Sequence, residues 1–224
     1  MCNNHCPLCR AAKSNLFCED TWRSFYRCTD CQLVFVPASF HLSPEQEKAE
    51  YDLHQNSPDD INYRNFLNRL FEPMEQRLPK NSYGLDFGSG PGPTLSVMFN
   101  EAGYEMEIYD PFYCDNPKTI QLPKPGCSDF APYDFITASE VVEHLRKPAE
   151  ELNRLWSRLK PNGILGIMTK QVIDQSRFAK WHYKDDPTHI CFFSQKTFSW
   201  LADQWDCQLE LIGKDVVLFT KHTP

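Results

Sequence analysis

The chain has no run of eighteen apolar residues, so no membrane-spanning helix is expected. Its first residues, Met1-Cys2-Asn3-Asn4-His5-Cys6, have neither a basic start nor an apolar core. They do not read as a secretory signal, and a reducing, cytoplasmic setting is the expectation. Positive charge is in short supply: 23 Lys and Arg stand against 30 Asp and Glu, for a net charge of −7. That balance argues against a broad nucleic-acid surface and leaves room only for a local basic groove. No Gly-Lys-Ser/Thr follows the glycine-rich loop, which excludes a P-loop. No pair of cysteines is placed for thiol attack on a pyrimidine ring.

What is present is ordinary in bulk and specific in places. The 224 residues, 41% hydrophobic and 24% charged, suffice for one α/β domain with a small appendage. The ten cysteines concentrate near the start. Cys6-Pro7-Leu8-Cys9 and Cys28-Thr29-Asp30-Cys31 form two C-x₂-C knuckles about eighteen residues apart. Two thiolates from each of two tight turns suit tetrahedral structural zinc, with Cys6, Cys9, Cys28 and Cys31 as ligands. Cys18 or His5 could replace one of them, and Cys2 is spare. Residues 22–27 and 32–36 read as strands of a small ribbon whose folding would depend on the metal. Arg10, Lys13, Arg23 and Arg27 nearly balance Glu19, Asp20 and Asp30, so the ribbon reads as a scaffold or substrate lid as readily as a nucleic-acid module.

The stretch at 83–110 organises the rest. Tyr83-Gly84-Leu85-Asp86-Phe87 suits a buried strand, and Gly88, Gly90 and Gly92 follow at alternate positions. Such a loop turns sharply and lets backbone N–H groups approach a ligand. Pro93 suits a first helical residue. Leu95, Met98 and Phe99 share a face of the helix that follows. A second strand then ends at Asp110, twenty residues after Gly90, where an α/β nucleotide site places its ribose-diol acceptor. Pro93 stands where the dinucleotide pattern G-x-G-x-x-G needs its third small residue.

This order of strand, loop, helix, strand and acid, with Asp86 two residues before the first glycine, resembles the first motif of class I S-adenosylmethionine (SAM) methyltransferases. Over residues 80–224 the chain also resembles that family in Leu159-Lys160-Pro161-Asn162-Gly163 and in two closing strands, at 208–212 and 216–221. The resemblance implies a Rossmann-like α/β sheet, mostly parallel with the last strand antiparallel, preceded by the zinc ribbon. It implies that SAM is held by Asp86, Phe87, Gly88, Ser89 and Gly90, with Asp110 on the ribose, Pro111 near the adenine, and Ser139 at the end of a further strand. The expected division is a ribbon at 1–37, a helical cap at 38–80 and the SAM-binding domain at 81–224.

The remaining segments fill in around that site. Ser43 reads as a helix cap, and 62–77 carries Tyr63, Phe66, Leu67, Leu70, Phe71 and Met74 at helical spacing. That stripe suits packing beside the sheet, with Tyr51 and Tyr63 as candidate pocket residues. Between 111 and 132 five prolines imply a short, irregular third strand. Residues 134–139 read as a buried strand opening onto the ligand crevice, followed by Glu140-x-x-Glu143-His144. If that run turns helically, its two carboxylates and imidazole share a face suited to a divalent cation or a general base. The stretch at 178–190 gathers Trp181, His182, Tyr183, Asp185, Asp186 and His189 where acceptor loops are expected. Glu140, Glu143 and His144 with the distant His189 resemble the metal set of small-RNA 3′-terminal 2′-O-methyltransferases, and the first three resemble ubiquinone-pathway O-methyltransferases. The expected activity is methyl transfer from SAM to an acceptor, a small molecule in preference to RNA. Glu140, Glu143, His144 and His189 are its candidate catalytic residues and a second divalent metal is a candidate cofactor. The alternative is a SAM-binding protein without turnover whose ribbon docks a protein or RNA partner.

Overall fold

The computed structural model describes residues 5–53, 56–113, 120 and 132–223. Leu85, Phe135, Ile136, Leu165 and Ile167 have almost no exposed surface, as expected of strands covered on both faces. They belong to β4 (Tyr83–Phe87), β6 (Tyr133–Ser139) and β7 (Leu159–Met168). Numbered in chain order, these stand in a six-stranded sheet with β5 (Glu105–Tyr109), β9 (Gln208–Ile212) and β10 (Val216–Thr220). The spatial order is β5-β4-β6-β7-β10-β9. The first four strands run parallel, and β10 lies antiparallel to both β7 and β9. The chain leaves β4 toward β5 and returns on the other side at β6, so a crevice opens above the carboxyl ends of β4 and β6. Most of the segment between 111 and 132, where a third strand is expected, lies outside the described residues.

Helices α2 (Ile61–Glu75) and α3 (Thr94–Glu101) cover one face. Leu67, Leu70 and Met74 of α2 join Leu95, Met98 and Phe99 of α3 over Phe135, Ile164 and Leu218. The Asp60 side chain caps α2 through the Asn62 and Tyr63 amides. Pro93 is the cap of α3 rather than its first helical residue (φ −73°, ψ 59°). The opposite face is covered by α4 (Pro148–Ser157) and α6 (Gln195–Trp205). The turn expected at Leu159–Gly163 is absorbed into β7: Tyr133 pairs with Leu159 and Phe135 with Ile164, and left-handed Asn162 lies within the irregularity between them.

The ribbon is larger than its two expected strands. β1 (Ser14–Glu19), β2 (Ser24–Cys28) and β3 (Val34–Phe35) form a sheet whose fourth strand, β8 (Cys191–Phe192), comes from far along the chain. Phe25 packs edge-on against Phe178 and Phe192, at 5.2 and 5.8 Å, so the ribbon shares one apolar core with the α4/α6 face. After the ribbon, Ser43 caps α1 (Pro44–Tyr51) in a reciprocal box with Gln46.

Candidate active site

A cavity of about 420 Å³ occupies the crevice. Its floor is the loop after β4. Gly88 and Gly90 hold φ of +75° and +65°, a region closed to most side chains, and a Cβ on Gly88 would come within 2.5 Å of Val141 Cγ2. The Gly88 and Ser89 amides donate to the Tyr109 carbonyl at 2.7 and 3.2 Å, tying the loop to β5. Asp110 stands just beyond β5 and accepts from Gly90 N at 2.9 Å and Phe112 N at 2.8 Å. Phe87, Ser89, Pro111, Phe112 and Ser139 complete this side of the wall.

Asp86 differs from its sequence expectation. It does not line the cavity but lies wholly enclosed beneath the loop, accepting the Thr137 hydroxyl at 2.9 Å. Burial raises its carboxyl to about 6, against the pull of the Thr137 and Ser96 bonds. Asp86 therefore braces β4, β6 and the start of α3 and stands outside the cavity lining.

The far wall carries the acidic and imidazole side chains. Residues 140–144 do not form an α-helical face: Glu140 is left-handed (φ 53°), and only a 3₁₀ turn, Val142–His144, follows. That turn nevertheless brings Glu143 and His144 to His189, and ligand atoms of the three lie within 4.8 Å of one another. Glu140 is outside this group, which corrects the expected set of four; its carboxylate stands 3.4 Å from the Tyr183 hydroxyl. Tyr183 donates its hydroxyl to the fully buried Glu143, whose Oε2 has no hydrogen-bond partner. Burial and then the Glu143 charge raise the Glu140 carboxyl to about 8, and burial raises Glu143 as well. His189 Nδ1 meets the Tyr183 carbonyl at 2.6 Å, and His144 Nδ1 meets the Thr188 carbonyl at 3.2 Å. A carbonyl only accepts, so both Nδ1 atoms carry a proton, and His189 Nε2 stands 3.7 Å from Asp186 Oδ2. Burial and the nearby His144 lower the His189 pKa, which favours the neutral ring.

α1 closes the cavity from above. Tyr51 packs at right angles on His144 and edge-on against Phe112, both at 5.3 Å, and donates to Glu47 at 2.8 Å. Arg146 bridges Glu47 and the Leu42 carbonyl, each at 2.7 Å. Tyr63 and Phe66 of α2 also line the cavity, so the upper end of the aromatic stripe faces it while the lower end packs on the sheet. Sequence reasoning missed Glu47, Asn56 and Phe66 as cavity residues, because nothing local distinguishes them. Tyr183 and Asp186 stood in a stretch already singled out for its chemistry.

In the ribbon, Cys6 Sγ lies 3.5 Å from Cys31 Sγ and Cys9 Sγ 3.3 Å from Cys28 Sγ, and all four atoms lie within 4.8 Å of one another. Cys18 is outside the group and His5 is exposed, which settles the alternatives; Cys2 lies outside the described residues. Four thiols this close cannot all ionise without a cation. The bond from Cys31 takes Cys6 down to about 6, while burial pushes Cys9 up to about 12.

A doubly covered, mostly parallel sheet with a glycine floor, an acid at the tip of the second strand and a closing antiparallel hairpin is the Rossmann-like architecture of class I SAM-dependent methyltransferases. The chain belongs to the methyltransferase-domain family, whose model matches residues 60–212. Solved structures of similar fold include an O-methyltransferase family protein from Burkholderia thailandensis (TM-score 0.53, 15% identity, 83% of this chain and 62% of that one). A Pyrococcus horikoshii protein (0.51, 16%, 79% and 99%) and human N-acetylserotonin methyltransferase in complex with SAM (0.52, 14%, 80% and 55%) are also similar. The chain thus spans less than two thirds of the Burkholderia and human proteins. No curated protein matches it. Among the described residues no helix is long and apolar enough to cross a membrane.

Proposed function

We propose that the protein methylates a hydroxyl of a small-molecule acceptor with the assistance of a divalent metal. The observation that carries this reading is the group formed by Glu143, His144 and His189. It combines one buried carboxylate oxygen without a partner and two imidazoles whose Nδ1–H groups are committed to carbonyls. Carbonyl-anchored imidazoles beside a carboxylate are the arrangement that metal-ligating histidines adopt, and two His with one carboxylate suit a divalent ion.

SAM fits the cavity floor. Gly90, where an added Cβ would meet nothing within 4 Å, leaves its backbone open to close approach; Asp110 would accept ribose hydroxyls, and Phe112 offers an aromatic face on the same wall. Bound there, SAM supplies a methyl group activated by its sulfonium. This chain's part is to align the acceptor and exclude water, which α1 does through Tyr51. A metal held by Glu143, His144 and His189 would lower the pKa of the acceptor hydroxyl. The four ribbon cysteines are assigned to structural zinc.

The test is a metal titration of chelator-treated protein, followed by the manganese spectrum, beside radiolabelled methyl transfer into fractionated small-molecule extracts. His144→Ala and His189→Ala should each abolish manganese binding and transfer while SAM affinity holds. Wild-type transfer by either variant, or transfer insensitive to removal of the second metal, would overturn the metal-assisted reading.

A further inference from the structure

A second cavity, of about 560 Å³, lies between the ribbon and the edge of the main sheet. Four cationic side chains from four separate elements line it. They are Arg27 of β2, Arg177 of α5 (Gln175–Phe178), Lys196 of α6 and Lys214 of the turn between β9 and β10. Its single acid, Asp174, is 3.5 Å from Arg177 Nε and also accepts the Ser176 hydroxyl. Arg27, Lys196 and Lys214 have no ion-pair partner among the described residues. In a chain of net charge −7, a groove with four cations and one acid reverses the overall balance.

The groove sits on the same edge of the sheet as the reaction cavity. Met168, the last residue of β7, pairs with the cavity residue Ser139 and accepts from the Glu140 amide at 2.7 Å. Two residues on, Lys170 places its ammonium 4.9 Å from the centre of the Tyr183 ring, and Gln171 then enters the groove. Gln171 Oε1 is shielded from solvent and has no hydrogen-bond partner. The four backbone steps from Lys170 to Asp174 span at most roughly 14 Å.

We propose that this groove is an anion subsite holding the phosphate of the acceptor, and that the acceptor is a phosphate ester of nucleotide or sugar-nucleotide size. The proposal deepens, and rests on, the reading that the cavity methylates a small-molecule hydroxyl. Three cations without an ion-pair partner among the described residues, Arg27, Lys196 and Lys214, in one groove favour a polyanion. The Ser194 and Thr197 amides at the start of α6 are already engaged by their capping box, and the binding is assigned to the side-chain charge. RNA is the less suited ligand. The one aromatic residue in the groove, Phe17, is covered by the Arg27 guanidinium at 4.9 Å, which leaves no platform for stacked bases.

The test is calorimetry on the full zinc-loaded chain with inorganic pyrophosphate, uridine diphosphate, glucose 1-phosphate and a ten-nucleotide single-stranded RNA. Pyrophosphate and uridine diphosphate should bind with millimolar or tighter affinity. The double variant K196E/K214E should weaken that binding at least tenfold while its melting temperature and SAM affinity match the wild type. Glucose 1-phosphate binding as well as uridine diphosphate would assign the ligand to the sugar phosphates within the same class. Failure of all three phosphates to bind, or equal binding by the double variant, would overturn the subsite. Lysine-dependent binding of the RNA alone would replace the small-molecule ligand with a nucleic acid. None of these outcomes depends on methyl transfer, so the subsite can fail while the hydroxyl reading stands, and the reverse.

Discussion

Arg23 of the ribbon holds His189 of the candidate active site. Its Nη1 donates to the His189 carbonyl at 3.0 Å and to the Pro187 carbonyl at 3.2 Å, and Nη2 donates to the carbonyls of Lys184 and Asp186. Lys184, nearly enclosed, adds an ion pair to Asp20 at 2.9 Å. One guanidinium therefore gathers four carbonyls of the loop that presents Tyr183, Asp186 and His189. The ribbon is thus part of the scaffold of the candidate active site.

Arg23→Met should release that loop. Charged hydrogen bonds contribute about 1.5–3 kcal/mol each but are not additive, so a destabilisation of about 3 kcal/mol is expected from denaturant unfolding. Methyl transfer should fall at least tenfold with SAM affinity held within about twofold. Wild-type transfer by a folded Arg23→Met protein would show that the loop does not depend on the ribbon.

Asp110→Ala should weaken SAM binding by about 1.5–3 kcal/mol, from loss of a charged hydrogen-bonding partner. Because Asp110 also organises Gly90 and Phe112, Asp110→Asn should lose less. Unchanged affinity by calorimetry would exclude Asp110 from the cofactor site.

One zinc per chain is expected by elemental analysis of protein prepared without chelator, and Cys28→Ser with Cys31→Ser should remove it. Considered as a separate ribbon, residues 1–37 would loosen alone. With β8 in the ribbon sheet and the aromatic core continuous across it, the loss should lower the melting temperature of the whole chain. A melting curve unchanged outside the ribbon would show the two parts to be independent.

Asp86 should make stability fall as pH rises from about 4 to about 6. Its carboxyl is raised in the folded state, so the folded chain holds a proton that the unfolded chain has released. Stability associated with that proton is present below the unfolded pKa and lost as pH rises through about 6. The rise from the ordinary carboxylate value to about 6 corresponds to about 3 kcal/mol. Asp86→Asn should flatten this part of the stability profile, and parallel profiles for the two proteins would refute the assignment.

Local spacing carried much of the identity. The two C-x₂-C knuckles, the glycine loop after a buried strand and the acid at the end of the next strand are each set by neighbours in the chain. Their geometry follows from short-range backbone rules, and the structure places them as expected. The same local reading placed Asp86 with the cofactor residues, because a motif position does not reveal whether a side chain faces the crevice or the layer beneath it. It also considered a helical face over residues 140–144, whereas Glu140 adopts a left-handed turn.

What only the tertiary structure decided is which distant residues meet. No periodicity links His144 to His189, Arg23 to the loop at 184–189, or β3 to β8. Nor does any local pattern foretell that Arg27, Arg177, Lys196 and Lys214 share one groove. Apolar spacing determines which face of each element turns inward, but the joining of those faces depends on side-chain packing across the whole core. Polar groups carried on the joined elements, such as Arg23 and the loop carbonyls, then come together only as a consequence of that packing.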